Sequence, residues 1–267
     1  RPPRSTLFPY TTLFRSYKKR GYKKAVDKSE EGQGGPSTTR DVFSALDEGA
    51  GKTEAWVMNN QKILLGVIGV VVVVVLGFLG YEQFVVKPKE AEASNELFFA
   101  QQYFDQAVNG TQNDSLYVLA LNGADGKYGL LDIIENYSGT EAANLAQYTA
   151  GMAYLNTQKY DQAIAHLQEF SSDDEILGSL ALGGIGDAFV QLGQQADGLD
   201  YYEKAIKNSN NNFTTPKFLF KAGVVLLQDG KASEAAKYFN RIKNEFPNSE
   251  EGRTIDIYIG RAETAQQ

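Results

Sequence analysis

Apolar positions fall into one unbroken block and, further on, a series of helix-period stripes. The block, Ile63 to Leu79, reads ILLGVIGVVVVVVLGFL, seventeen residues without a charge, and Gly80 and Tyr81 extend it to nineteen. Coiled as a helix it is about 26 to 28 Å long, close to the hydrocarbon thickness of a bilayer. Six consecutive valines leave no polar face for a soluble amphipathic helix, and the block lies too far along the chain for a signal peptide. The pattern predicts a transmembrane helix over 63–81, bounded by Lys62 and Glu82. Ahead of it, 17–62 reads as a disordered and juxtamembrane tail: up to about Thr39 it is Lys-rich, then Glu, Gly, Ser and Pro-rich, with too few apolar residues to offset the entropy of ordering. Within that tail DVFSALDE and TEAWVMNNQ suit a short amphipathic stretch, with Val42, Phe43, Leu46, Trp56 and Val57 toward lipid or a partner.

After Pro88 the period becomes helical. Ala93–Val108 and Tyr128–Tyr137 read as leading helices within 91–140. Three segments then align without gaps, placing Gly151, Gly186 and Gly223 in register. Each glycine is followed three residues on by a large apolar residue (Tyr154, Phe189, Leu226), twelve on by a small one (Ala163, Gly198, Ala235) and sixteen on by a large one (Leu167, Tyr202, Phe239). Small residues permit close helix crossings, and the i, i+3, i+4 spacing lays one apolar stripe on each helix. Gly193 and Gly230 mark interhelix turns, and Pro247 ends the third unit. Ser172 with Glu175 predicts a capping box, and Thr215 before Pro216 a helix start.

This pattern resembles the tetratricopeptide repeat, although Gln147, Leu182 and Leu219 stand where that motif carries Trp. The resemblance implies an all-α chain: an N-terminal tail, one transmembrane helix, leading helices, three repeats over 141–248 as an α-solenoid, and a capping helix within 249–267. In that family the first helices of successive pairs line the ligand groove. Carried over by register, the groove positions are Tyr148, Met152 and Asn156, then Asp187 and Gln191, then Phe220, Val224 and Gln228. Members that grip a terminal carboxylate use Lys and Asn, and Asp187 in mid-groove argues against that mode. The alternative is that these residues only pack against flanking helices.

Charge divides the chain. Residues 1–90 carry 14 Lys/Arg against 9 Asp/Glu, and 91–267 carry 12 against 24, so a basic head precedes an acidic body. An acidic body without a basic, aromatic-interleaved stripe argues against nucleic-acid binding. The absence of Cys excludes disulfides, thiolate metal sites and acylation of a lipoprotein cysteine. His166 is the only histidine, so neither a Ser-His pair nor a His cluster can be assembled, and its place beside Leu167 predicts a solvated position. GAGKT at 49–53 lacks the earlier glycine and preceding strand of a phosphate loop. Asp173, Asp174 and Glu175 open a helix, where capping accounts for them. The fifteen tyrosines are expected to pack between helices, an aromatic ligand cage being the rarer use. No cofactor and no enzymatic activity are expected.

Thr6–Ser16, TLFPYTTLFRS, resembles the in-frame translation of a sequencing-adapter oligonucleotide. Residues 1–16 are therefore set aside, with the native frame expected to resume near Tyr17. From about Phe43 onward, the order of TEAWVMNNQKILLGV, span and degenerate repeats is similar to the YfgM-like family, the ancillary subunit of the bacterial SecYEG translocon. That resemblance implies a single-pass inner-membrane protein whose repeats meet translocon subunits, a membrane-bound chaperone or client chains. Charges near the span tie, Lys52 and Lys62 against Lys87 and Lys89; the distal cluster Lys18 to Lys24 favours a cytoplasmic N-terminus and a periplasmic C-terminal domain. The alternative is a scaffold that organises an envelope or cell-division complex, with self-association.

Overall fold

The computed structural model describes residues 38–110 and 114–266, with side chains from Trp56 onward. The adapter-like segment and the tail up to residue 37 lie outside the described residues. The chain divides into two units, 1–68 and 69–267, the division falling within the first helix.

Helix α1, Thr38–Tyr81, begins well before the expected span and takes in the DVFSALDE and TEAWVMNNQ segments, read from the sequence as a short amphipathic stretch. GAGKT at 49–53 lies inside it. Trp56 and Val57 are exposed, as is the apolar block apart from the half-buried Leu64, and the helix is long and apolar enough to cross a membrane.

In the second unit a π-helical turn, Glu82–Val86, follows α1, and α2 spans Lys87–Asn109. The Lys87 N–H bonds the Glu82 carbonyl, five residues back. Pro88 explains the widened turn: it has no N–H, and its ring would collide with the carbonyl four residues earlier in a regular helix. Helices α3 (Asp114–Asn122) and α4 (Leu130–Asn136) complete the leading group; α3 is an element the sequence reading did not resolve. Its Tyr117, Ala120 and Leu121 are buried with Leu97 and Ala100 of α2 and Ile133 of α4.

Three helix pairs follow: α5 (Glu141–Asn156) with α6 (Tyr160–Glu169), α7 (Glu175–Gln191) with α8 (Gln195–Asn208), and α9 (Thr214–Gln228) with α10 (Ala232–Glu245). Each pair packs together and against the next, and α11 (Ile255–Thr264) covers α10. No strand occurs among the described residues, apart from an isolated bridge between Ala124 and Lys127. This second unit is an all-α solenoid.

The in-register glycines sit at the crossings. A Cβ on Gly151 would lie 2.5 Å from Leu167, on Gly186 2.7 Å from the Tyr202 ring, and on Gly223 2.4 Å from the Phe239 ring. Each glycine thus meets the large residue sixteen positions on, and burying such a side chain contributes roughly 1.5–3 kcal/mol. The turns also repeat. The N–H groups of Lys159, Gln194 and Lys231 bond the carbonyls of Tyr154, Phe189 and Leu226 five residues back. The left-handed residue closing each turn is Gln158 at φ 60°, Gly193 at 76° and Gly230 at 74°.

Two helix starts differ from expectation. Asp174, not Ser172, caps α7: its carboxylate accepts from the Ile176 and Leu177 N–H groups at 2.8 and 2.9 Å, while Ser172 Oγ accepts from the Asp174 N–H. Before α9 the Asn211 side-chain oxygen Oδ1 accepts from the Phe213 and Thr214 N–H groups, and Thr215 and Pro216 lie inside the first turn. In both cases the hydroxyl expected to cap accepts elsewhere, Ser172 Oγ from the Asp174 N–H and Thr215 Oγ1 from the Asn211 N–H, both at 3.0 Å, and a carboxylate or side-chain amide takes the first helical donors. The expected capping helix starts at Ile255, after turns through 248–254.

Candidate functional site

The first helix of each pair contributes to one cleft of about 700 Å³. Asn156 of α5, Asp187 and Gln191 of α7, and Phe220, Val224 and Gln228 of α9 line it. Six of the eight sequence-predicted groove residues therefore converge. Tyr148 and Met152 do not reach the cleft and pack instead against the cluster of Leu167, Ala181 and Ile185. The Tyr148 ring lies 5.2 Å from that of Phe170, and burial pushes its hydroxyl pKa up. Phe220 serves both roles, lining the cleft while meeting Tyr258 of α11 edge-on at 4.6 Å.

Asp187 is the charged group at the centre, and it is not free. Lys221 Nζ donates to its two oxygens at 2.7 and 2.6 Å, and the Tyr202 hydroxyl donates to it at 2.7 Å. Burial first, and then the Asp187 carboxylate, push the Tyr202 pKa far above its ordinary value. The ion pair is about one third exposed, with side-chain exposures of 36% for Lys221 and 27% for Asp187. Its effect is therefore to cancel charge in the cleft more than to stabilise the fold.

Leu155, Gln158, Tyr160, Val190, Tyr202, Lys221 and Val225 complete the lining; none was expected in the groove, and Tyr202 was singled out only as a packing residue of the second repeat. Lys221 shares register with Thr149 and Gly184, so no repeated residue type marks it. A pairing across two helices 34 residues apart leaves no trace in local periodicity.

His166 departs from the solvated position expected for it. It is half-buried, its ring stacks on Tyr154 at 5.3 Å, and Nδ1 lies 2.7 Å from Gln147 Oε1. Burial lowers its pKa from 6.5. On the outer face Tyr238 donates to Glu203 at 2.8 Å, and burial followed by that bond pushes its pKa up to about 12. Asp173, Asp174 and Glu175 do not form a metal group, and no group of three or more His, Cys, Asp or Glu side chains comes together among the described residues.

Paired helices converging on a shared cleft define a helical-repeat, protein-interaction type of domain. Residues 103–255, spanning α2 to the start of α11, match the family described as T7SS, ESX-1 secretion system protein EccA1, N-terminal domain, and the chain belongs to that family. No curated protein matches the chain.

Proposed function

We propose that this chain is a membrane-tethered protein–protein interaction module of a secretion or translocation apparatus, and that it catalyses nothing. The observation that carries the reading is the convergence of three successive first helices on one cleft, with Asn156, Gln191 and Gln228 at equivalent places. Such a surface suits an extended partner segment laid across several repeats. The family's description as a secretion-system protein supports the setting. The apolar and mostly exposed Ile63–Tyr81 stretch supports a tether in the bilayer.

A sharper version follows from the likeness of the repeats to tetratricopeptide units and of the chain plan to the YfgM-like translocon subunits. In it, the repeats lie on the periplasmic side of a bacterial inner membrane and meet translocon subunits, a membrane-bound chaperone or client chains. The test is pull-down of the full chain in mild detergent, with a photo-crosslinker introduced at Gln191. Crosslinks to secretion, translocon or chaperone components are the expected result. Crosslinks only between copies of this chain would replace the reading with that of a self-associating scaffold.

A further inference from the structure

We infer, building on the interaction-module reading, that the cleft recognises the main chain of an extended, uncharged polypeptide segment through a ladder of amide side chains, one per repeat. Asn156, Gln191 and Gln228 each stand five residues after the crossing glycine of their repeat, and all three line the cleft. No other residue type occupies that place. All three side chains are exposed.

Their hydrogen-bonding capacity is available. Asn156 Nδ2 donates to its own helix, to the Met152 carbonyl at 2.8 Å, which leaves its side-chain oxygen as an outward acceptor. Gln191 and Gln228 make no side-chain hydrogen bond among the described residues. The central carboxylate, by contrast, is taken up by Lys221 and Tyr202. The free groups in the cleft are thus neutral and include both donors and acceptors. A peptide unit has that same complement, one N–H and one C=O, whereas a terminal carboxylate or a phosphate would require uncompensated cations.

The fold contains an example of this chemistry. Asn144 donates to the Ser171 carbonyl at 2.7 Å and accepts from the Ser171 N–H at 3.1 Å, holding both polar groups of one main-chain residue just after α6. Spacing is consistent with a repeat of this contact along a ligand. Helices α5, α7 and α9 touch in succession, and touching helices lie about 8–10 Å apart. An extended chain rises about 3.3 Å per residue, so one amide meets about every third residue and the ladder covers about six. Leu155, Val190 and Val224 supply apolar contact beside the amides. The side chains of the bound segment would then matter little, provided they carry no charge toward Asp187 and Lys221.

The probe is a fluorescein-labelled, uncharged peptide about ten residues long, titrated by anisotropy against the full chain in detergent micelles. Scrambling the peptide or amidating its C-terminus is expected to change affinity by less than about twofold, whereas N-methylation of alternate peptide nitrogens weakens it about tenfold or more. Replacing Asn156, Gln191 and Gln228 together by Ala is expected to weaken binding by about thirtyfold or more, at about three- to tenfold per amide. Helicity and melting should be unchanged, because the three side chains are exposed. Undiminished binding of the N-methylated peptide or by the triple variant, loss of binding on scrambling or amidation, or no binding by the native chain overturns the inference. Partner co-purification from cells separates this from the broader reading. A partner equally retained by native chain and triple variant overturns the amide ladder alone, while absence of any partner from the native chain counts against the interaction module and leaves a positive peptide result standing.

Discussion

Gly183 and Gly260 are both helical, but a methyl group added to each would meet opposite surroundings. At Gly183 a Cβ would lie 1.9 Å from the Phe218 ring, which is itself buried and stacked on Tyr202, whereas at Gly260 nothing lies within 4 Å. Gly183→Ala is therefore expected to destabilise the domain by about 1–3 kcal/mol through overpacking, and Gly260→Ala to stabilise it by about 0.5–1 kcal/mol through helix propensity. Urea denaturation of the two variants checks both signs. His166 supplies a pH-dependent counterpart. Burial holds its pKa below 6.5, so the unfolded chain binds more protons than the folded chain between the folded pKa and 6.5. The stability that depends on neutral imidazole is complete above that window and declines as pH falls through it. Lowering pH from about 7.5 to about 5.5 should reduce the denaturation midpoint more in the native chain than in His166→Gln; equal reductions would remove His166 from the account.

At the scale of elements, the helix starts are held by residues that local pattern does not reveal. The N-terminus of α5 is closed by Thr140 Oγ1, which accepts from the Ala143 N–H at 3.1 Å. It is also closed from a distance by Glu90 of α2, whose carboxylate accepts from the Glu141 and Ala142 N–H groups at 2.8 and 3.0 Å. A carboxylate at this end also meets the positive pole of the helix dipole. Nearby, Lys89 Nζ donates to the Ser138 carbonyl at 2.8 Å, so two adjacent residues of α2 hold the start of the first repeat. Glu90→Ala is expected to cost about 1 kcal/mol, as loss of a helix cap does. Hydrogen exchange should show the loss concentrated at Glu141 to Ala143; uniform change across α5 to α11 would argue against a capping role.

For the whole molecule, the expected arrangement is a lipid-embedded helix with repeats on the far side of the membrane from a basic N-terminal segment. A reporter that fluoresces only in the cytosol, fused after Gln267, is expected to stay dark, while the same reporter placed before Thr38 should be bright. Bright cells with the C-terminal fusion would reverse the orientation. The Lys18 to Lys24 cluster ahead of the span supports the arrangement, the charges beside the span being equal on its two sides.

Much of this was legible in the order of residues because it depends on local period and on size. A run of valines excludes a polar face wherever it lies, and a glycine sixteen residues before Leu167, Tyr202 or Phe239 announces a close crossing, since only absent side chains permit one. The same repeat length carried six of eight groove residues to the cleft. Tertiary structure alone decided the rest: that Tyr148 and Met152 turn into the cluster around Leu167, that His166 is stacked and half-buried, that Lys221 neutralises Asp187 while the Tyr202 hydroxyl donates to it, and that Glu90 caps a helix fifty-one residues away. Those outcomes depend on which side chains meet across helices. Periodicity assigns a residue to a face, but hydrogen bonds and burial depend on what the neighbouring face brings to it.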